Sequence, residues 1–356
     1  MTPKIAQTAK KPHLLPHKIK SMTQIAGNGR NEYFDSLKCI LITLVVIGHI
    51  LDCYHDNRTL LAIDNVIYSF HMPLFIFISG YFCKDHADTR KKVRSTLLLL
   101  ETLIVFQLLH CLMPLLHGDI TPMQAIIYPE WSMWYLYSLI AWRIIAYIIP
   151  KAITHNLTAV LSITIACSLL GGFIPLFSGE LSVQRTLSFM PFFFLGHYCR
   201  VRQIDPTKYR IPKALAATII IAAFAVMMVK NHDLSFVLWG KAPYHQPYHI
   251  YIVLRVIHLI SATVMGLSVM SLVPPLSRPF LSIGSDTLFI YMYHTFIITA
   301  VLALLTAIGM TPSTITTLTA IPLTTATLIT LRKSKTLHYI LNPISNLIPI
   351  TTALGK

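Results

Sequence analysis

The sequence predicts an all-α integral membrane protein with about ten transmembrane helices in one bundle and both termini in the cytoplasm. Of its 356 residues, 54% are hydrophobic and only 12% are charged, whereas a soluble domain carries about 25% charged residues. Apolar runs of about 20 residues, long enough to cross the hydrocarbon core as a helix, recur along the chain. These runs are continuous, whereas the strands of an outer-membrane barrel would give short alternating segments.

Ten apolar runs are predicted to span the membrane, and the basic residues between them set their direction. With the N-terminus inside, 22 of the 29 Lys and Arg residues fall on the inner side, as the positive-inside rule requires. This asymmetry accounts for most of the formal net charge of +15, so we predict no nucleic-acid partner. The basic clusters 84–94 and 200–213 would also attract anionic lipid or a phosphorylated co-substrate. The predicted spans are 36–53, 60–83, 94–116, 131–150, 157–177, 182–200, 212–230, 250–273, 280–308 and 312–331.

The predicted membrane domain, 31–335, lies between two short tails. Residues 1–30 are polar and basic and are predicted to form a disordered cytoplasmic tail, and residues 336–356 a short cytoplasmic C-terminal tail. Six cysteines lack any CxxC pair, so neither a disulfide framework nor a metal site is predicted. The Thr-rich run 311–330 remains a candidate span, since Thr hydroxyls can bond back to helix carbonyls.

Ionisable side chains are unusually frequent within the predicted spans. Such groups are costly in lipid and usually face a bundle interior or a wet cavity. Their number indicates an aqueous site inside the bundle, although for any single residue a structural hydrogen bond explains its presence equally well. They are His49, Asp64, His71, Glu101, His110, Arg143, Arg185, His197, Arg255, His258, Asp286 and His294.

The first span, FDSLKCILITLVVIGHI (34–50), carries Lys38 and His49 eleven residues apart. Helix geometry places them within about 20° of each other and about 16 Å apart along the axis. A phosphate-bearing cofactor shaped like coenzyme A would bind at the inner end and extend an apolar arm towards His49. The alternative is that Lys38 reaches the interface and His49 bonds another helix. The same stripe contains Asp35, Ile42, Val45 and Asp52.

The second span contains SFHMPLFIFISGYF (69–82), in which Pro73 interrupts the backbone ladder. Counted from the inner end, His71 reaches a depth similar to that of His49, so the two imidazoles are expected at one level. Imidazole is easily kept neutral and suits a general base. The alternative is that the two histidines bind a metal ion, but two histidines without a clear third ligand are weak evidence for a metal site.

Three later segments supply further candidates. Trp131, Trp134, Tyr135 and Tyr137 open the fourth span, either as an interfacial aromatic belt or as a stacking surface for a sugar ring. Arg185 begins the sixth span ahead of FMPFFFLGHYCR (189–200). The ninth span contains SDTLFIYMYHTFI (285–297), which places His294 in the bundle.

Taken in order, five segments resemble the membrane-bound acyltransferase family 3, and most closely its fucose 4-O-acetylase-like branch. With the ten spans they cover nearly the whole chain beyond the N-terminal tail. The segments are NEYFDSLKCILITLVVIGHIL (31–51), FHMPLFIFISGYF (70–82), WSMWYLYSLIAWR (131–143), FMPFFFLGHYCR (189–200) and SDTLFIYMYHTFI (285–297).

The resemblance implies transfer of an acetyl or other short acyl group from cytoplasmic acyl-CoA to a hydroxyl of a cell-surface polysaccharide or its lipid-linked precursor. It also implies a bacterial cytoplasmic membrane. In the family, a basic residue and a histidine eleven positions later mark the first span, which here are Lys38 and His49. A pair of arginines separated by two residues is matched by Lys91 and Arg94. By resemblance, Lys38, Lys91 and Arg94 would contact the acyl-CoA. Lys38 and Lys91 stand where the family commonly has Arg, and Lys contacts phosphate as a point charge whereas Arg forms two parallel hydrogen bonds.

The chemistry of acyl transfer assigns the remaining roles. His49 is the predicted base that takes a proton from the acceptor hydroxyl, and Asp52 its orienting carboxylate. Arg185 or His71 would stabilise the oxyanion, and Trp134 and His294 would line the substrate site. Transfer through an acetyl-His intermediate remains an alternative.

We expect a water-accessible passage from the inner basic residues to His49, through which the donor would reach the base. A transporter or flippase is the main competing function, and a non-catalytic scaffold a weaker one. Inverted repeats with paired broken helices would favour a transporter, and the sequence shows neither.

Overall fold

The computed structural model describes residues 31–53, 57–83, 89–174, 179–230, 234–241 and 243–347. Throughout these ranges the chain forms helices joined by loops, and no residue in them belongs to a β-strand. The predicted all-α class is confirmed. The predicted tail 1–30 and the last residues of the predicted C-terminal tail lie outside the described residues.

Sixteen α-helices occur in the described ranges, together with three short 3₁₀ turns at Trp131–Met133, Glu180–Ser182 and Pro206–Lys208. The helices are α1 (Glu32–Leu51), α2 (Arg58–Tyr81), α3 (Thr89–His117), α4 (Pro122–Ile127), α5 (Trp134–Ile148), α6 (Lys151–Thr154), α7 (Leu157–Gly171), α8 (Val183–Val201), α9 (Lys213–Lys230), α10 (Ser235–Leu238), α11 (Tyr248–Leu272), α12 (Arg278–Ser285), α13 (Thr287–Ala307), α14 (Thr314–Leu331), α15 (Lys335–Leu341) and α16 (Pro343–Leu347).

Seven helices among the described residues are long and apolar enough to cross a membrane: α1, α2, α3, α9, α11, α13 and α14. The fourth, fifth and sixth predicted spans correspond to α5, α7 and α8, of 15, 15 and 19 residues. A helix of 15 residues is about 22 Å long, shorter than the hydrocarbon core. The chain is therefore a multi-pass membrane protein, and the count of ten spans stays a prediction.

The ninth predicted span, 280–308, is wrong as a single helix. The structure ends α12 at Ser285 and begins α13 at Thr287, with Asp286 outside helical geometry between them. The Asp286 carboxylate accepts a hydrogen bond of 3.1 Å from Arg332, which lies just after α14. This ion pair compensates a charge that a continuous apolar helix would leave exposed to lipid.

Asparagine side chains cap the N-termini of α1 and α2, the two helices at the centre of the bundle. Asn31 Oδ1 accepts from the backbone N–H of Tyr33 at 3.0 Å, and Asn57 Oδ1 accepts from that of Thr59 at 2.9 Å. These bonds satisfy helical donors that have no partner within the helix. Within its most apolar window α2 is 89% buried, whereas α9 is 6% buried. The core is therefore built around α2, and α9 lies at the periphery.

Several threonine hydroxyls of α14 bond back to the helix carbonyls, as the sequence predicts. The hydroxyls of Thr319, Thr325 and Thr327 each donate to the carbonyl four residues earlier at 2.8 Å. Each hydroxyl is thus satisfied within its own helix and exposes no free donor to lipid.

The C-terminal helices α15 and α16 pack along α3. Asn342 donates to the Leu98 carbonyl at 2.8 Å, and the Glu101 carboxylate accepts from the backbone N–H of Ile344 at 2.6 Å and of Ser345 at 3.0 Å. Glu101, one of the ionisable residues of the predicted spans, therefore has a structural partner.

Two glycines allow α2 and α8 to approach each other closely. A Cβ on Gly80 would collide with the Phe193 carbonyl oxygen, and a Cβ on Gly196 would collide with that of Phe77. Small residues at a helix crossing are the usual means of close packing in membranes. This contact fixes α8, which carries Arg185, relative to α2, which carries His71.

We expect Gly196→Ala to destabilise the folded protein by about 1–3 kcal/mol, because the new methyl group must push α8 away from α2. The matched control is Gly266→Ala in α11, where a Cβ would meet Leu74 at an ordinary 3.8 Å. Thermal denaturation of the detergent-solubilised variants compares them. Equal melting temperatures for the two variants would contradict the close-contact interpretation.

Candidate active site

A cavity of about 740 Å³ lies where α1, α2 and α8 meet three loops. Tyr128, Trp131, Gly179 and Lys241 belong to these loops and line it. The side chain of Trp131 is 51% exposed, so the cavity is open on the loop side. By the predicted topology this is the outer side of the membrane. The volume suits a small-molecule substrate.

His49 and His71 both line this cavity, as predicted from their depths in α1 and α2. Tyr68 connects them. Its hydroxyl oxygen lies 3.3 Å from His49 Nδ1, and its ring packs edge-on against the His71 ring with centroids 4.8 Å apart. The structure thus brings two imidazoles and one phenol together at a single level of the bundle.

His71 is poorly suited to the predicted oxyanion role. Its Nδ1–H donates to the Ile67 carbonyl at 2.7 Å, one turn earlier in α2. With Nδ1 occupied as a donor, a neutral His71 presents Nε2 as an acceptor only. An oxyanion needs donors, so of the two predicted candidates Arg185 has the appropriate chemistry.

His294 lies behind His49 and is not part of the cavity lining. The two rings are 5.0 Å apart between centroids, and His294 is fully buried. Its Nδ1–H donates to the Tyr291 carbonyl at 2.7 Å. His294 therefore packs beside the His49 ring outside this cavity, and its predicted role in the substrate site stays a prediction.

Arg185 and Trp134 line the cavity together. The guanidinium lies 4.8 Å above the Trp134 ring, and its Nε is buried without a hydrogen-bond partner among the described residues. The pair is a cation–π contact. It leaves N–H donors of a permanent cation available inside the cavity, and Arg185 covers one face of the indole.

The backbone is strained just before α8, the helix that carries Arg185 near its N-terminus. Leu181 and Ser182 have positive φ values of 48° and 58°, which cost about 1–3 kcal/mol each for residues other than glycine. The Ser182 hydroxyl lies 3.3 Å from that of Ser138 in α5, and Ser138 lies 2.8 Å from Thr186. These contacts hold the turn in a conformation that directs the start of α8 to the cavity.

The predicted donor-side residues are not in this cavity. Lys38 is already paired with Asp35, with Nζ 2.8 Å from the carboxylate, and Lys91 and Arg94 are exposed near the start of α3. The expected passage from Lys38 to His49 is not a feature of this cavity and stays a prediction. Ile42 and Val45, which lie between on the same face of α1, are each only 1% exposed.

Asp52 lines the cavity as predicted, but the group at hydrogen-bond distance from His49 Nδ1 is the Tyr68 hydroxyl. The role of Asp52 as orienting carboxylate stays a prediction. Sequence reasoning missed Tyr68, although it lies three residues before His71 and therefore on the same helix face. It also missed Trp239 and Lys241, which approach the cavity from the loop before α11.

Comparison with known proteins places the chain in a family. Residues 31–331 match the model of a family described as an acyltransferase domain. A segment of 59 residues is 49% identical to nodulation protein NolL of Sinorhizobium fredii. This segment covers 15% of this chain and 16% of that protein. Over 58 residues it is 50% identical to nodulation protein NolL of Mesorhizobium japonicum, again 15% and 16% of the two chains.

The matched segment is thus a small part of each of these relatives, and no solved structure matches the chain. The family match itself covers most of the sequence, including every cavity residue discussed above. The chain belongs to this acyltransferase family.

Proposed function

We propose that the protein is a membrane O-acyltransferase. In this proposal it moves an acetyl group from cytoplasmic acetyl-CoA to a hydroxyl of a cell-surface polysaccharide or its lipid-linked precursor, in a bacterial cytoplasmic membrane. The observation that carries it is the cavity geometry, in which His49, Tyr68 and Arg185 converge on one space open to the loop side. The family match supports acyl transfer.

His49 acts as the general base in the proposed reaction. The acceptor hydroxyl attacks the thioester carbonyl carbon, and its proton passes to His49 as the new C–O bond forms. The C–S bond then breaks, and the thiolate leaves and takes up the proton. The products are an ester and free coenzyme A.

Tyr68 positions this base. For His49 to accept a proton on Nε2, Nδ1 must carry the other hydrogen, and Nδ1–H then donates to the Tyr68 hydroxyl oxygen 3.3 Å away. Such a bond selects one tautomer and one ring orientation, which is the task of the partner in His-based catalysis. His294, behind the ring, limits its rotation.

Arg185 stabilises the negative charge that develops on the thioester oxygen. A permanent cation with a buried nitrogen, as in Arg185, interacts with a developing charge more strongly than it would in bulk water. Trp134 holds the guanidinium by its ring face, so the donors need little reorganisation when the charge appears. His71 presents Nε2 as an acceptor and suits a hydrogen bond from a second hydroxyl of the acceptor.

His49→Ala should reduce O-acetylation by about a hundredfold or more, because the reaction loses its base. The amount of folded protein in the membrane should stay close to wild type. His155→Ala, at an exposed position after α6, is the control. Mass spectrometry of surface glycans from cells carrying each variant measures the acetyl content, and an unchanged content in His49→Ala would remove this residue from the mechanism.

Tyr68→Phe should lower kcat about tenfold, the value of one hydrogen bond of about 1 kcal/mol or slightly more. The KM for the acceptor should change little, because the ring is retained. Tyr33→Phe removes a hydroxyl that donates to the Met270 carbonyl at 2.6 Å away from the cavity and serves as the matched control. If the two variants show the same kcat, the Tyr68 hydroxyl does not position His49.

Lys91→Ala combined with Arg94→Ala should raise the KM for acetyl-CoA about tenfold, because each exposed cation contributes up to about 1 kcal/mol to binding of the donor phosphates. The KM for the acceptor should stay unchanged. Lys333→Ala combined with Lys335→Ala removes the same charge from another exposed pair on the predicted inner side. An effect confined to the acceptor KM would show that the residues at the start of α3 do not bind the donor.

A further inference from the structure

The segment 238–241, which runs from the last residue of α10 into the following loop, forms one wall of the cavity and is hydrogen-bonded to α8. The Ser188 hydroxyl donates to the Gly240 carbonyl at 2.9 Å, and Leu238 is buried. Gly240 has φ of +65°, and a Cβ there would come within 3.1 Å of Phe189 and Ser188. A residue with a side chain would therefore be both strained and crowded, so the loop conformation depends on this glycine.

This conformation turns Trp239 and Lys241 towards the catalytic groups. The Trp239 ring lies 5.9 Å from the ring of Tyr68, whose hydroxyl contacts His49. Lys241 Nζ lies 4.6 Å above the Trp239 ring. Both residues line the cavity. An aromatic surface and a cation thus lie side by side in the cavity lining. Trp239 is next to Tyr68, and Tyr68 contacts His49, the proposed base.

The charge of the cavity is not balanced within the described residues. Its lining contains the cations Arg185 and Lys241 and the carboxylate Asp52, and no described carboxylate lies within 4.0 Å of either cation. Desolvation lowers the pKa of the Lys241 ammonium, the nearby charge of Arg185 lowers it further, and Asp52 opposes both effects. Lys241 is exposed at the cavity and has no described carboxylate within ion-pair distance, so its ammonium group can contact a bound anion.

We infer that the 238–241 segment is part of the acceptor site and that the acceptor is a saccharide with an anionic group, a carboxylate or a phosphate, which Lys241 contacts. This inference rests on the proposed function and names its acceptor class. Trp239 offers a face for the sugar ring, and the flexible stem of Lys241 reaches the charged substituent. Arg185 lies deeper, against the buried Trp134, and remains with the reacting carbonyl.

Three methyl β-glucosides test the inference: the parent sugar, its C6 carboxylate and its C6 phosphate. Ligand-induced thermal stabilisation of the purified protein in nanodiscs gives their affinities at low salt. We expect at least one anionic probe to bind about tenfold more tightly than the neutral sugar, since one partly desolvated charge pair contributes about 1.4 kcal/mol. The anionic probe that binds better identifies the preferred group.

The variants separate Lys241 from general electrostatics. Lys241→Met should abolish the preference for the anionic probe and Lys241→Arg should keep it. Lys230→Met removes an exposed cation at the end of α9, which is not part of the cavity lining, and should also keep the preference. Equal affinities of the wild-type protein for all three probes, absence of binding by any of them, or a preference that survives Lys241→Met would each overturn the inference.

Two further outcomes distinguish this inference from the proposed function. If Lys241→Met raises the KM for acetyl-CoA and leaves probe binding unchanged, Lys241 belongs to the donor site and the inference is wrong. If the anionic probe binds through Lys241 but no acetyl group is transferred to any acceptor, the anion site stands and the acyltransferase proposal fails.

Discussion

The packing of α1 against α2 determines where His49, Tyr68 and His71 lie relative to one another. The helices run antiparallel, with Phe34 stacked on Tyr81 at one end, 5.0 Å between ring centroids, and Gly48 beside Tyr68 at the other. A residue added to either helix would rotate its face by about 100°. His49 would then lose Tyr68, and His71 would leave the cavity. The site therefore depends on the register of one helix pair more than on any single side chain.

Three half-buried charged side chains of the bundle have hydrogen-bond partners within the protein, whereas Arg185 beside the cavity has a nitrogen without one among the described residues. Glu101 accepts from the start of α16, Arg143 donates to Ser95 at 2.9 Å, and Asp286 pairs with Arg332. These groups have intramolecular partners, because an unpaired polar group in lipid or protein interior costs several kcal/mol. Arg185, by contrast, keeps an unpartnered buried nitrogen beside the cavity, where water or a substrate can satisfy it.

Much of this arrangement could be predicted from the sequence because it depends on local spacing. Apolar length and basic flanks identify the helices, and counting residues from the helix ends places His49 and His71 at one level. The pairing of Lys38 with Asp35 follows equally from a spacing of three residues on one helix. The break at Asp286 could not be predicted in this way, because its partner Arg332 lies 46 residues further along the chain.

The cavity wall at 238–241 was beyond sequence reasoning for a related reason. Trp239 and Lys241 lie in a loop with no periodicity, and their orientation depends on a hydrogen bond from Ser188 to the backbone of Gly240. Loops on a rigid scaffold commonly carry binding residues, but the sequence does not say which helix they meet. Tyr68 was missed although α2 was predicted, because composition gives no reason to prefer a phenol over its many apolar neighbours.

The apolar packing along α1 between Lys38 and His49 bears on how the proposed enzyme would work. A donor loaded from the cytoplasm and an acceptor presented from the outer side must both reach His49, yet a continuous aqueous passage would also conduct protons and ions across the membrane. Ile42 and Val45, each 1% exposed, are packed side chains on the α1 face between Lys38 and His49, while the cavity opens on the loop side. Because apolar constrictions exclude water, a donor arm that followed this face would have to displace these side chains and fill the space it opens. Such a fit would keep the barrier to ions at each stage, so in the proposed mechanism the apolar stretch between Lys38 and His49 would serve the reaction as well as the membrane helix.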